Sequence, residues 1–271
     1  MEIPIALKQV VAFTKRDAQS WTSYKTAMFT QVISIFIGVF AWGVGAAYVQ
    51  KPVPEMYNSD YISFLIVGVA ISNLILPIVQ GVERQLNPWT LETILMTGIS
   101  TPVFVIGNIM WTYILSVLSF VPYLLIGTYV FHAKLHANIL AVIVAFTISA
   151  AILMGLAMIS TGIRIVTKST DPVTWAINVL QNLFAGVAFP VVYLNTILFP
   201  GASTISWFLP QTWVYHLSRL AMLTNPSLAD PQTLFEYLKG LAFAVVLLPL
   251  GYRVLQWGID RSKREGTLGW Y

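Results

Sequence analysis

From Tyr61 to Gln80 the chain runs the width of a membrane without one charged side chain, and five other stretches do nearly the same. A helix needs about 20 consecutive, mainly apolar residues to cross the hydrocarbon core of a bilayer. The pattern predicts six spans: Thr26 to Tyr48, Tyr61 to Gln80, Pro102 to Val130, Asn138 to Ile163, Val173 to Leu194 and Leu238 to Trp257. Their connections are too short to hold a soluble domain. The expected fold is therefore an all-α polytopic membrane protein, with one transmembrane domain over residues 1–271. Only 10% of the residues are charged, against roughly 25% in soluble domains, which is too little to cover a water-facing surface.

The few charges set a topology, because Lys and Arg are retained on the cytoplasmic side. With both ends placed there, that side holds Lys8, Lys15, Arg16, Lys25, Arg84, Arg164, Lys168, Arg253, Arg261, Lys263 and Arg264. Lys51, Lys134, Arg219 and Lys239 fall on the other, so the 15 basic residues divide eleven to four. Both termini are expected in the cytoplasm and the chain in the plasma membrane. The net charge of +4 comes with no basic tract interleaved with aromatics, which argues against a nucleic-acid partner. Cysteine is absent, so disulfides, Cys-ligated zinc and thiol catalysis are excluded. Trp21, Trp42, Trp111, Trp175, Trp207 and Trp257 mostly fall near expected span ends, as in an aromatic belt.

Ahead of the first span, residues 5–21 are patterned as a helix. Leu7, Val10, Val11, Thr14, Ala18 and Trp21 gather on one face, and Lys8, Lys15, Arg16 and Gln19 lie opposite. Pro4 suits its first turn. This predicts a basic amphipathic helix in the inner membrane interface, acting as an anchor or as a mechanical element. The first 25 residues do not fit a cleavable signal, being polar for too long before the apolar run.

Between the second and third spans lies "ERQLNPWTLETILMTGIS", Glu83 to Ser100. Asn87 is a suitable N-cap, Pro88 suits the first helical position, and Gly98 ends the run. A helix over 88–97 is marginal alone in water, so it must pack on something. It either rests on lipid or serves as a docking element for a cytoplasmic partner.

In their order, these features resemble the membrane subunit of type 2 ABC transporters, the exporter class that moves drugs, lipids and polysaccharides. The resemblance covers essentially the whole chain. It rests on the amphipathic helix before six spans, on "WTLETILMTGISTP" in the first cytoplasmic loop, and on "FAGVAFPVVYL" leading into "TISWFLPQTWVYHLSRLAML". Family members carry Gly-Thr-Leu-Glu in that loop; Thr90, Leu91 and Glu92 match, and Trp89 stands where Gly is usual. The resemblance implies that 88–97 is a coupling helix seated on a separate ABC ATPase subunit. Arg84, Pro88, Trp89, Thr90, Leu91, Glu92, Ile94 and Leu95 would make that contact. It also implies a second permease subunit, identical or not, and an outer re-entrant helical hairpin over 196–224. Ile205 to Leu223 is apolar enough to enter the membrane, yet Pro210, Gln211, His216 and Arg219 argue against a plain span. The tail over 258–271 reads as a topology signal in contact with anionic lipid.

The chain has no GxxxxGK[ST] phosphate loop. ATP and Mg would belong to the partner subunit, with no cofactor, metal or catalytic residue in this chain. His132 and His136 have the i, i+4 spacing of a zinc site but no third ligand, and His216 has no GxSxG serine. No Asp, Glu or Lys sits centrally in a span, which counts against a proton- or sodium-coupled transporter. Asn178, Gln181 and Asn182, at i, i+3 and i+4, share one helix face. By the resemblance they would line a substrate route between subunits, together with Asn73, Phe184 and Phe189. They read equally as hydrogen-bonding contacts between helices, with the two phenylalanines against lipid.

The expectation is a permease exporting an amphipathic, drug-like or lipid-like substrate, with a polysaccharide or lipid-linked glycan as the alternative cargo. A passive channel with no ATPase is the alternative of a different class.

Overall fold

The computed structural model describes residues 5–47, 57, 59–79, 98–167 and 172–266. All regular structure among them is helical. Helices α1 (Ile5–Ser23) and α2 (Lys25–Ala47) precede α3 (Tyr61–Val79), α4 (Thr101–Tyr129) and α5 (Ile139–Thr167). Then α6 (Pro172–Phe184) leads through a 3-10 turn (Val191–Tyr193) into the short α7 (Leu194–Ile197) and α8 (Ala202–Phe208). The chain closes with α9 (Pro210–Leu223) and the long α10 (Pro231–Arg264).

Among the described residues four helices, α3, α4, α5 and α10, are long and apolar enough to cross a membrane. Leu118, Leu125, Leu140, Ile143, Val245 and Val246 all point outward from them. Lipid accepts such a surface and water does not. The first three of these helices coincide within a few residues with expected spans. The last overruns Leu238 to Trp257 at both ends, so the first part of the expected tail is helical up to Arg264. In α2 the apolar part, Phe29–Val44, is shorter than the other four.

The fifth expected span, Val173 to Leu194, is not one helix. Helix α6 has 13 residues and stops at Phe184, which at about 1.5 Å per residue falls short of a bilayer core of about 30 Å. Gly186 takes a left-handed φ of 73° and Pro190 offers no N–H, so the helical ladder ends there. The break is invisible to hydropathy because its residues are as apolar as a span.

Helix α3 is the centre of the bundle. It is apolar over most of its surface and buries Phe64, Leu65, Val67, Ile71, Leu74, Ile75 and Ile78 against α2, α4, α5 and α9. The most extensive helix pair is α5 with α10. Gly155 and Gly162 on one face Gly251 and Gly258 on the other. A Cβ on Gly251 would lie 2.5 Å from the Gly155 carbonyl oxygen, and one on Gly162 would lie 2.6 Å from that of Val254. In lipid no hydrophobic force drives helices together, so backbone approach of this kind supplies the packing energy.

The bundle has two distinct ends. At one, α1 lies on the start of α4: Phe13 packs on Gly107, Arg16 Nη2 donates to Asn108 Oδ1 at 3.2 Å, and Trp21 meets Trp111 edge-on at 6.2 Å. The amphipathic helix is therefore docked on protein as well as facing outward. Val10 and Asp17 are buried, while Leu7 and Val11 stay exposed beside Ile5. Asp17 accepts from Arg16 Nε at 2.8 Å, a pairing the face pattern does not disclose.

At the other end the α4–α5 connection is stitched to the end of α9. His136 N–H donates to Met222 O at 2.9 Å, and Asn225 N–H donates to His136 O at 2.7 Å. Asp230 caps α10, accepting from the Thr233 N–H and hydroxyl at 3.0 Å each, which holds its carboxyl below the usual range. The segment expected as a re-entrant hairpin turns at Leu209–Pro210. Most of α9 is buried, packed on α5, α3 and α10.

Candidate functional site

One face of α9 presents Thr212, Tyr215, His216 and Arg219, residues spaced three and four apart. They form one wall of a cavity of about 170 Å³ beneath the segment that follows α6. Phe64 of α3, Trp207 of α8 and Tyr57 from the connection before α3 supply the other walls. The lining thus combines aromatic rings with the apolar Ala185, Pro190, Val191 and Val192, and a single guanidinium is set into it.

Arg219 is 3% exposed. Its Nη1 and Nη2 donate to the carbonyl oxygens of Gly186 and Val187 at 2.6 Å each. Those carbonyls follow directly on the end of α6, where the helix dipole is negative, so a cation is well placed there. The guanidinium also lies over the Phe64 ring, 3.6 Å from its centroid. Gly68 makes room for it, since a Cβ at that position would overlap Arg219 Nη2. No carboxylate pairs with Arg219 among the described residues. Its Nε is buried without an acceptor.

Beside it runs a polar chain across three segments. Tyr57 hydroxyl lies 2.7 Å from His216 Nδ1, His216 Nε2 lies 3.3 Å from Glu236 Oε2, and Glu236 Oε1 lies 2.8 Å from Lys239 Nζ. With the imidazole proton on Nε2, facing Glu236, Nδ1 is left to accept from Tyr57. Burial pushes the Tyr57 phenol up to about 12, with Arg219 opposing the shift and the Glu236 carboxylate adding to it. Trp207 and Trp213 enclose His216 edge-on at 5.1 and 5.7 Å.

The polar residues singled out in the sequence lie elsewhere. Asn178 and Asn182 are exposed on α6, and Asn182 Nδ2 donates to Asn178 O and Oδ1 at 2.8 and 2.9 Å. Gln181 turns inward, 4% exposed, with its Oε1 unpartnered. The three therefore do not share one environment: two face out and one faces in. Asn73 is exposed on α3 and folds its amide onto Val69 O at 2.8 Å. Phe184 and Phe189 are half-buried at the break after α6, where Ser206 hydroxyl donates to Phe184 O.

Arg84, Pro88, Trp89, Thr90, Leu91, Glu92, Ile94 and Leu95 lie outside the described residues. Among the described residues no three His, Asp or Glu side chains come together as metal ligands. His132 and His136 are exposed in the α4–α5 connection. Sequence reading missed the cavity because its members come from four separate stretches. The available signal was Arg219 itself, a cation in a segment apolar enough to enter a membrane.

A scan against models of protein families finds none that matches the chain, and a search of curated proteins finds no similar sequence.

Proposed function

We propose that this chain is the permease subunit of an ATP-driven exporter of the type 2 ABC class. It moves an amphipathic, drug-like or lipid-like substrate outward across the plasma membrane, with both termini in the cytoplasm. A separate ATPase subunit binds ATP and Mg and docks on residues 88–97, and a second permease subunit completes the route. ATP binding closes the ATPase pair, displaces that docking segment and shifts the bundle between access states. Such a shift needs a ligand with different affinities for the two states.

The observation that carries the reading is the exposed amide pair Asn178 and Asn182 on α6, flanked by exposed Trp175 and Leu183. Asn182 Nδ2 donates to Asn178, and the polar atoms that this bond leaves over cost free energy on a lipid-facing surface unless something pairs with them. A second subunit packed along this face, or a substrate passing over it, provides the partner.

The absence of cysteine makes the test clean. A single Asn182→Cys variant, oxidised in native membranes, is expected to form a disulfide-linked or cross-linker-joined product containing a second permease. The mass of that product tells an identical subunit from a different one. Labelling of the Asn182→Cys variant by a lipid-soluble maleimide, with no cross-linked product at any span length, overturns the paired-permease reading.

A further inference from the structure

The Arg219 cavity selects by charge through what its lining withholds. Arg219 Nη1 and Nη2 are already bonded to the Gly186 and Val187 carbonyls, and its Nε is buried away from the open space. An anion entering the cavity would give up its water and find no guanidinium N–H to replace it. A cation would meet the positive charge of Arg219, with no Asp or Glu among the lining residues to answer it. An uncharged molecule meets neither cost.

Size and lining narrow the occupant further. An apolar cavity of about 150 Å³ in another protein stays dry and accepts benzene, and this one measures about 170 Å³. A single ring fills most of that volume and leaves room for one small substituent. The rings of Tyr57, Phe64, Trp207, Tyr215 and His216 stand around it. Rings in offset or edge-on contact gain more than their buried area alone supplies. Val192 lines the same space and is 56% exposed, so the cavity opens outward there.

We propose that this cavity is a binding site for a compact, uncharged aromatic molecule of about the size of phenol. The ring lies among the aromatic walls and enters past Val192. The site goes beyond the exporter reading and does not depend on it, because it belongs to this chain without an ATPase or a second permease.

The test uses the purified full chain in nanodiscs of zwitterionic lipid at neutral pH, in equilibrium dialysis against radiolabelled phenol. Nanodiscs without protein give the background from partition into lipid. Saturable binding above that background is expected at one per chain. Unlabelled phenol should displace the label at least about tenfold better than benzoate or benzylammonium, which carry charge. It should do so at least about threefold better than cyclohexanol, which lacks the aromatic ring. Because the chain has no cysteine, the position of the ligand can be read as well. Saturating phenol should slow maleimide labelling of the Val192→Cys variant at least about threefold. Labelling of Ile139→Cys, at a position 77% exposed at the start of α5, should not change. Both positions are exposed, so the two variants should melt as the unaltered chain does. No saturable binding, equal displacement by a charged analogue or by cyclohexanol, or slowing at both positions or at neither would each overturn the proposal.

Discussion

Gly258 of α10 stands directly on the carbonyl oxygen of Gly162 of α5, so closely that neither can carry a side chain without parting the helices. The same relation recurs one heptad earlier between Gly251 and Gly155. Gly258→Leu is therefore expected to destabilise the bundle by about 1–3 kcal/mol or more through overpacking against backbone. Leu250→Ala, on an exposed position of the same helix, should change stability by less than about 0.5 kcal/mol. Melting of the two purified variants in detergent makes the comparison, and equal melting temperatures would contradict the packing account.

Arg219 ties three segments that the sequence separates widely. Its two bonds to Gly186 and Val187 hold the chain where α6 breaks, and Phe64 of α3 supports the guanidinium from below. Arg219→Met removes both donors and leaves two carbonyls unpaired, for an expected loss of about 2–4 kcal/mol. Gly68→Ala should destabilise through the same contact, since its methyl group would fall on Arg219 Nη2. Faster proteolysis within 185–193 in both variants, before the rest of the bundle opens, is the predicted signature.

High pH should weaken this end of the bundle. Burial pushes the Tyr57 phenol up to about 12 in the folded chain, against about 10 when unfolded. The folded state thus holds the proton more tightly. Its contribution is fully present below about pH 10 and is lost as pH rises through about 12. Tyr57→Phe should flatten the fall in stability across that window. An identical slope in the variant would show that the phenol is not what titrates.

Much of the bundle was legible in the sequence because lipid imposes a length rule that needs no knowledge of packing. Helices α3, α4 and α5 begin and end within a few residues of their apolar runs for that reason. The break after Phe184 was not legible, since Gly186 and Pro190 are flanked on both sides by apolar residues that read as part of a span. The burial of Asp17 was hidden too, because its partner is the neighbouring Arg16 of the same helix and its cover comes from α4. At the candidate site, the sequence placed Asn178, Gln181 and Asn182 on one face. It could not show that Gln181 lies on the buried edge of that face and the two asparagines on the open one.

The α6 face offers a prediction about transport. Replacing Asn178 and Asn182 with alanine removes two exposed amides and no core contact. Melting should stay close to that of the unaltered chain. If each amide contributes about 0.6–1 kcal/mol to pairing or to the route, export should fall on the order of tenfold. Wild-type export from the double variant would remove these residues from the route.

The most direct measurement is mass spectrometry of whatever co-purifies with the chain from its native membrane in mild detergent. The exporter account predicts a stoichiometric P-loop ATPase, retained through purification and lost when residues 88–97 are scrambled in a chain that still folds. A chain that emerges alone or only with copies of itself, even after cross-linking in the membrane, would contradict it and favour a passive channel.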